Sequence, residues 1–212
     1  MSLFGSSGIR GVVGQDFTVD LAVSISEAVG SLHSSIVLGR DTRTSGQMVA
    51  RALIAGATSM GADVQDAGMI STPTLARAAS EFDCGLMVTA SHNPSPYNGV
   101  KMWNPDGSAF DTVQMNEVEN RIAHRAYEHK GWRHVGTSKR YEGAVHRHVQ
   151  SIARSIGEAS ARVVLDCGCG ATFEVSPLTL RTIGCGVTSL NCQADGHFPG
   201  RNPEPTEDQL YD

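Results

Sequence analysis

The sequence predicts an α/β protein: a first domain with a mostly parallel mixed sheet sandwiched by helices, followed by the start of a second, similar α/β domain. Three observations lead to this prediction. Short apolar segments that end in glycine or polar residues alternate with segments of helical periodicity. The connections between them are short, which is typical of βαβ units. The alternation resumes after a polar stretch at 128–139, so we predict domains at 1–138 and 139–212.

The elements of the first domain follow from apolar spacing and from residues that begin or end helices. In chain order they are a helix at 21–32 after the N-cap Asp20, a strand at 36–39, a helix from Ser45 to Gly61, a strand at 62–68, a helix at 71–80 with Pro73 in its first turn, a strand at 85–90 and a helix after Asp111.

The second domain begins with a helix at 145–156, a strand at 162–166, a glycine-rich turn, another helix and a strand at 186–190. Two strands are fewer than the roughly 4–6 of a typical sheet. We therefore expect the chain to end inside its second domain. A length of 212 residues fits one domain and part of another, at roughly 100–200 residues per domain.

Composition excludes several kinds of partner. A net charge of −5 argues against nucleic-acid or membrane-surface binding driven by charge. No apolar run approaches the length of a transmembrane helix and no signal segment is evident, so we expect a cytoplasmic protein. Five cysteines without a familiar zinc spacing predict reduced thiols, and a metal site formed by Cys167, Cys169 and His197 is a weak alternative.

Two polar loops are expected at the edge of the sheet where ligands bind, beyond the carboxyl ends of the strands. These are residues 40–44 and 91–99. Ser91 follows an apolar strand, and a serine needs a neighbouring base or a metal to act as a nucleophile. His92 is its neighbour in sequence. Asn98-Gly99 favours a tight turn that would bring Lys101 back toward Ser91.

Two cations are candidates for phosphate chemistry. Lys101 can act as a general acid or base if burial or nearby cations lower its pKa. Arg10 lies in a glycine-rich segment and can bind phosphate oxygens with two parallel hydrogen bonds. Each of these residues also has a purely structural interpretation when it is taken singly. Ser91 would be a turn residue, Lys101 a solvated surface charge and Arg10 a partner in an ordinary ion pair. The charges at 39–43 would pair with one another.

Five segments, in order along the chain, resemble motifs of the α-D-phosphohexomutases, the family of phosphoglucomutases, phosphomannomutases and phosphoglucosamine mutases. Residues 89–94 (TASHNP) resemble the phosphoserine motif of the family. The others are 4–11 (FGSSGIRG), 39–43 (GRDTR), 98–101 (NGVK) and 196–206 (GHFPGRNPEPT).

The resemblance implies that Ser91 carries a phosphoryl group and exchanges it with a hexose phosphate through a bisphosphorylated sugar, an intramolecular phosphotransfer of the isomerase class. It implies that Ser91, His92, Lys101 and Arg10 are catalytic, and that Arg10, Ser91 and Lys101 bind phosphate. Ser91 would also contribute one ligand to a Mg²⁺ ion. Hexose 1,6-bisphosphate would be the activator.

The sequence departs from the family pattern at its C-terminal end. The aspartate-rich loop that supplies the other Mg²⁺ ligands in the family is not found before Asp212, and the sugar-recognising domains are also missing. We therefore expect an N-terminal fragment that is inactive alone and needs the C-terminal domains of the same protein. A serine-dependent sugar phosphatase and a non-catalytic sugar-phosphate-binding module are the alternatives. Neither the preferred hexose nor the oligomeric state follows from the sequence.

Overall fold

The alternation of apolar and amphipathic segments corresponds to alternating strands and helices in a computed structural model, which describes residue 5 and residues 8–207. The strands are β1 (Ile9–Val12), β2 (Ser35–Arg40), β3 (Asp63–Met69), β4 (Cys84–Val88), β5 (Tyr97–Trp103), β6 (Ser138–Arg140), β7 (Arg162–Asp166) and β8 (Gly186–Leu190). The helices are α1 (Val19–Gly30), α2 (Gly46–Ser59), α3 (Thr72–Ala78), α4 (Thr112–His124), α5 (Ala144–Ile156) and α6 (Val175–Thr182).

Within the described residues, six strands form a mixed sheet in the order β1-β5-β4-β2-β3-β6. The pairs β2–β3, β2–β4 and β3–β6 are parallel, whereas β5 is antiparallel to both β4 and β1. The predicted mixed sheet is confirmed. β6 extends this sheet to Arg140, slightly past the domain boundary predicted at 138. The position of that domain boundary stays a prediction.

Successive residues of the central strand β2 point to opposite faces of the sheet, and both faces are covered. Ile36 and Leu38 pack in the larger core with helices α1, α2 and α4. Val37 packs in a smaller core with Leu75 of α3. Since all three strand residues are fully buried, the sheet is sandwiched by helices as predicted.

Two helix starts were predicted together with the residue that caps them. The Ser71 hydroxyl accepts from the Thr74 amide, and Asp111 and Gln114 form a reciprocal capping box at the start of α4. One predicted cap residue is wrong, and another occupies the predicted N-cap position but makes no side-chain cap bond. Thr18, not Asp20, caps α1, and the Ser45 hydroxyl makes no cap bond but accepts from the Asn98 side chain.

The structure also corrects the prediction of a turn at Asn98-Gly99. Both residues lie inside β5, and Gly99 pairs with Arg10 of β1, a strand that apolar spacing did not reveal. A Cβ at Gly99 would collide with the backbone of Ile9, so the glycine permits the close approach of β1 rather than a turn.

The second part of the chain begins as predicted, with α5, β7, α6 and β8 in that order. β7 and β8 pair in parallel as a two-stranded sheet within the described residues. α5 also contacts the first domain, because His148 Nδ1 lies 2.9 Å from the Thr74 hydroxyl of α3. No helix among the described residues is long and apolar enough to cross a membrane.

Candidate active site

A cleft of about 310 Å³ lies between the carboxyl ends of β2 and β4 and the loop that follows β7. Ligands are expected at this edge of a parallel sheet. Residues from both parts of the chain line it: Asp41, Thr42, Ser71, Thr72, Pro73, Met87, Thr89, Ser91 and His92 from the first, and Cys167, Gly168, Gly170, Ala171, Thr172, Phe198, Arg201 and Pro203 from the second.

Ser91 is exposed at the cleft and has a strained backbone. Its φ of 58° places it in the left-handed region, which is uncommon for residues other than glycine. Its amide donates to the Thr89 hydroxyl at 2.9 Å. Such conformations cost roughly 1–3 kcal/mol, cluster at functional sites and persist only where surrounding contacts hold them. The contacts around Ser91 therefore decide whether its hydroxyl faces the cleft.

A buried network continues from Thr89. The Thr89 hydroxyl donates to Asp41 Oδ2 at 2.7 Å, and Arg43 Nε donates to the same oxygen at 3.1 Å. Burial raises the pKa of the Asp41 carboxyl, and the hydrogen bonds and positive charge of Thr89 and Arg43 oppose that rise. We infer an ionised Asp41, because the guanidinium beside it remains protonated. The Asp41–Arg43 ion pair, through Thr89, therefore connects the loop after β2 to the end of β4.

The Arg43 guanidinium binds the backbone of the Ser91 loop. Nη1 donates to the carbonyls of Pro94 and Tyr97 at 2.8 and 2.9 Å, and Nη2 donates to those of Ser91 and Asn93 at 2.9 and 2.7 Å. With only 1% of its surface exposed, Arg43 uses all five guanidinium N–H groups inside the protein. It therefore holds the loop in one shape.

Sequence reasoning placed Arg43 in a loop whose charges pair with one another, and the pair with Asp41 exists. It missed that Arg43 points inward beneath the Ser91 loop. The GRDTR motif at 39–43 is the signal that marks this segment, but the motif does not reveal the direction of the side chain.

Lys101 and Arg10 lie on the cleft side of the sheet. Lys101 pairs with Met87, which lines the cleft, and Arg10 pairs with Gly99, two residues before Lys101. Paired antiparallel residues and residues two apart on a strand share one face. Neither cation is among the residues that line the cleft itself.

The pKa of Lys101 is lowered, first by burial and then by the positive charge of Arg10. Gly8, at φ 126°, packs against Lys101, since a Cβ there would lie 3.1 Å from the lysine Cγ. Phe4, Ser6 and Ser7 of the first motif lie outside the described residues. The lowered pKa is the condition that acid/base work by a lysine requires.

The segment at 196–206 forms the opposite side of the cleft. A Cβ on Gly196 would lie 2.5 Å from the Thr42 carbonyl, so only glycine permits this contact with the loop after β2. His92 Nε2 lies 3.3 Å from Glu204 Oε2, although both side chains are about half exposed (57% and 51%). His92 therefore contacts the second part of the chain directly, a contact that adjacency to Ser91 did not predict.

Arg201 is held in place beside the cleft. Its Nε donates to Asp166 Oδ2 at 2.9 Å, and this contact helps to lower the pKa of Asp166 although desolvation opposes it. Phe198 lies with its ring centroid 5.5 Å from the Arg43 guanidinium carbon. These two residues are additions to the predicted site.

The described residues do not supply a metal site by themselves. They contain no group of three or more His, Cys, Asp and Glu side chains that could hold an ion. The weak alternative of a metal at Cys167, Cys169 and His197 is therefore not supported in this part of the chain. Asp41, the carboxylate nearest to Ser91 in the network, is engaged by Arg43 and Thr89.

Two family models match the chain. One, described as phosphoglucomutase/phosphomannomutase, alpha/beta/alpha domain I, matches residues 1–129, and another, described as domain II of the same proteins, matches 139–212. The two matches together cover most of the chain.

Proteins similar in sequence or structure to this chain have names from the same group of enzymes. A "Probable phosphoglucosamine mutase" of Methanococcoides burtonii is 47% identical over 210 residues, and one of Methanocella arvoryzae is 49% identical over the same length; each match covers 99% of this chain and 48% of the relative. A crystal structure of a phosphoglucomutase/phosphomannomutase family protein from Burkholderia thailandensis matches with a TM-score of 0.87 at 31% identity, covering 99% of this chain and 48% of that one. The chain spans about half the length of the curated relatives it matches.

Proposed function

The chain belongs to the α-D-phosphohexomutase family, and on this basis we propose that the full-length protein interconverts hexose 1-phosphate and hexose 6-phosphate, with Ser91 as the carrier of the phosphoryl group. One observation carries the proposal: the exposed Ser91 is held in a left-handed conformation at a cleft by the Thr89–Asp41–Arg43 network. Among the described non-glycine residues with a left-handed φ, Ser91 is the one that carries a hydroxyl, and it lines the cleft.

In the proposed reaction, phosphorylated Ser91 transfers its phosphoryl group to a hydroxyl of the bound hexose phosphate. The P–O bond to Ser91 Oγ breaks as the bond to the sugar oxygen forms, which produces a hexose 1,6-bisphosphate. The sugar then turns over and returns its other phosphoryl group to Ser91. Hexose 1,6-bisphosphate would therefore also phosphorylate a resting enzyme.

The remaining residues have distinct roles in this proposal. Lys101 takes the proton of the attacking sugar hydroxyl and returns it in the reverse step, for which its lowered pKa is suited. Arg10 stabilises the negative charge of the transferred group, the main catalytic requirement of phosphoryl transfer. His92 orients the phosphoserine from its position beside Ser91.

A Mg²⁺ ion would supply further positive charge at the phosphoryl group. The described residues contain no group of three or more His, Cys, Asp and Glu side chains that could hold it. We therefore propose that Ser91 contributes one ligand, through its oxygen or phosphate, and that the other ligands belong to the C-terminal part of the protein, which the family resemblance implies. The same part would recognise the sugar. The 212-residue chain alone is then expected to have no turnover, and its cytoplasmic location stays a prediction.

Conversion of glucosamine 6-phosphate by the full-length protein tests the proposal. This substrate is the first choice because the similar archaeal proteins are named phosphoglucosamine mutases. Phosphorus NMR should show glucosamine 1-phosphate without release of inorganic phosphate, with glucose and mannose 6-phosphates run in parallel. Release of inorganic phosphate would instead indicate a phosphatase, and binding of all three substrates without conversion would indicate a binding module.

Replacing Lys101 by Met should lower the rate of the chemical step by roughly 10²–10⁴, the usual contribution of a general acid or base. Replacing it by Arg should cause a similar loss, because arginine keeps the charge but does not give up its proton. Single-turnover transfer from phosphorylated enzyme measures this step. The exposed Lys139, changed to Met, is the matched control and should retain the full rate. Full activity of the Arg variant would contradict the acid/base role.

A further inference from the structure

Two cysteine thiols are in contact at the end of the two-stranded sheet. Cys192 Sγ donates to Cys167 Sγ at 2.9 Å, although the residues are 25 positions apart. Cys167 directly follows β7, and Cys192 lies two residues after β8. Since β7 and β8 are parallel neighbours, their carboxyl ends bring the two thiols together.

Backbone contacts hold the loops that carry these thiols. The Cys167 amide donates to the Leu190 carbonyl at 3.0 Å, continuing the strand pairing by one residue. Asn191 has a φ of 48°, which turns the chain between the strand and Cys192. Its side chain also donates to Asp166 Oδ1 at 3.1 Å, which ties the turn to the end of β7. The thiol contact therefore results from defined backbone geometry.

We propose that Cys167 and Cys192 are an oxidation site, at which a hydroperoxide converts the two thiols to a reversible intramolecular disulfide. The sulfur atoms need to approach from 2.9 Å to about 2.0 Å, the length of a disulfide. Cys192 is the only one of the five cysteines, all within the described residues, that is not buried. The proposal is independent of the mutase reaction.

The chemistry balances with peroxide as the oxidant. The Cys192 sulfur attacks one oxygen of the peroxide; the S–O bond forms, the O–O bond breaks, and the thiol proton leaves with the other oxygen as water or an alcohol. The Cys167 sulfur then attacks the Cys192 sulfur, which releases the sulfenic hydroxyl, and this takes the Cys167 proton to form water. Two thiols are oxidised, and one peroxide is reduced by two electrons.

The order of these steps follows from the surroundings. Burial raises the pKa of the Cys167 thiol to about 12, so this residue stays a protonated thiol in the reduced protein. Cys192 is partly exposed and meets the oxidant first. Cys167 is then the partner already in contact, which protects Cys192 from further oxidation.

The site also borders the cleft. Cys167 lines the same cleft as Ser91, and the chain after Cys192 leads to Phe198 and Arg201 on the cleft wall. A disulfide would join the start of this wall covalently to the end of β7. Oxidation therefore acts on the part of the chain that faces the candidate nucleophile.

Peptide mapping after treatment of the folded protein with hydrogen peroxide tests the proposal. Free thiols are alkylated, the protein is digested without reductant, and cross-linked peptides are identified by mass spectrometry. We expect a peptide pair joined at Cys167 and Cys192, lighter by two hydrogen atoms than the sum of its parts and separated by dithiothreitol. Because this readout needs no turnover, its failure is distinct from failure of the proposed mutase activity.

Variants provide the controls. Cys192→Ser should lose the cross-link, whereas Cys185→Ser, which removes a buried thiol from the same region, should keep it. Circular dichroism checks that each variant is folded, and the mapping of the unmodified sequence does not depend on either variant. Absence of the cross-link in the folded wild-type protein, or pairing of Cys192 with a different cysteine, overturns the proposal.

Discussion

Replacing Ser91 with Ala is expected to abolish phosphoryl attachment to the full-length protein and to lower mutase turnover on the order of 10⁴–10⁶-fold, the scale on which loss of a covalent nucleophile lowers kcat. The physical reason is that no other hydroxyl stands in the same place. Ser91 alone in its loop combines exposure at the cleft, a left-handed backbone and an amide held by Thr89.

Intact mass after incubation with a hexose 1,6-bisphosphate measures this directly. The wild-type protein should gain one phosphoryl group, and the Ala variant should gain none. Ser95→Ala is the matched control, because Ser95 belongs to the same loop but does not line the cleft. Equal phosphorylation of the Ser91→Ala variant, or loss of phosphorylation on changing Ser95, would contradict the assignment of Ser91.

Replacing Arg43 with Met should destabilise the protein by about 3–5 kcal/mol, the usual cost of breaking a buried ion pair by removing one partner. The change leaves Asp41 charged and buried, and it removes the donors from the carbonyls of Ser91, Asn93, Pro94 and Tyr97. Lysine does not restore these contacts, because its three donors do not form the planar fork of a guanidinium. Urea denaturation measures the loss.

A second readout separates the loop from the fold as a whole. Amides of residues 91–97 should exchange hydrogen faster in Arg43→Lys than in wild type, and phosphorylation of Ser91 should slow in the same variant. Arg140→Met is the control, since the Arg140 side chain is 85% exposed and its contact with Glu142 is 3.8 Å long. Exposed pairs of this kind contribute about 0–1 kcal/mol. A wild-type loop exchange rate in Arg43→Lys would show that Arg43 does not position Ser91.

Local patterns predicted most helices correctly. The start of α4 depends on Asp111 and Gln114, and the start of α3 depends on Ser71 and Thr74, each pair only three residues apart. The strands β2, β3, β4, β7 and β8 were also predicted, within about two residues. Of these, β2 and β4 are the buried, mostly apolar runs expected at the centre of a sheet.

The antiparallel strands β1 and β5 were not predicted as strands. In residues 97–103 (YNGVKMW), the Asn-Gly dipeptide, which is typical of turns, interrupts the apolar residues. Residues 9–12 (IRGV) contain an arginine and a glycine. β1 becomes a strand because it pairs with β5, and β5 becomes a strand because it lies between β1 and β4. Pairing across about 90 residues leaves no periodic pattern that either segment shows alone.

The sequence by itself determined that the chain is α/β and which family it resembles, and its motifs selected Ser91, His92, Lys101 and Arg10, whose roles remain predictions. Only the tertiary structure decided how Ser91 is held. Arg43 binds carbonyls 48 to 54 positions away in the chain, and Gly196 contacts the loop after β2 from the second part of the chain. The physical reason is that helix caps and apolar periodicity act over a few residues and so leave a pattern in the sequence. Every residue has a backbone carbonyl, so the sequence does not show which carbonyls a distant side chain will bind.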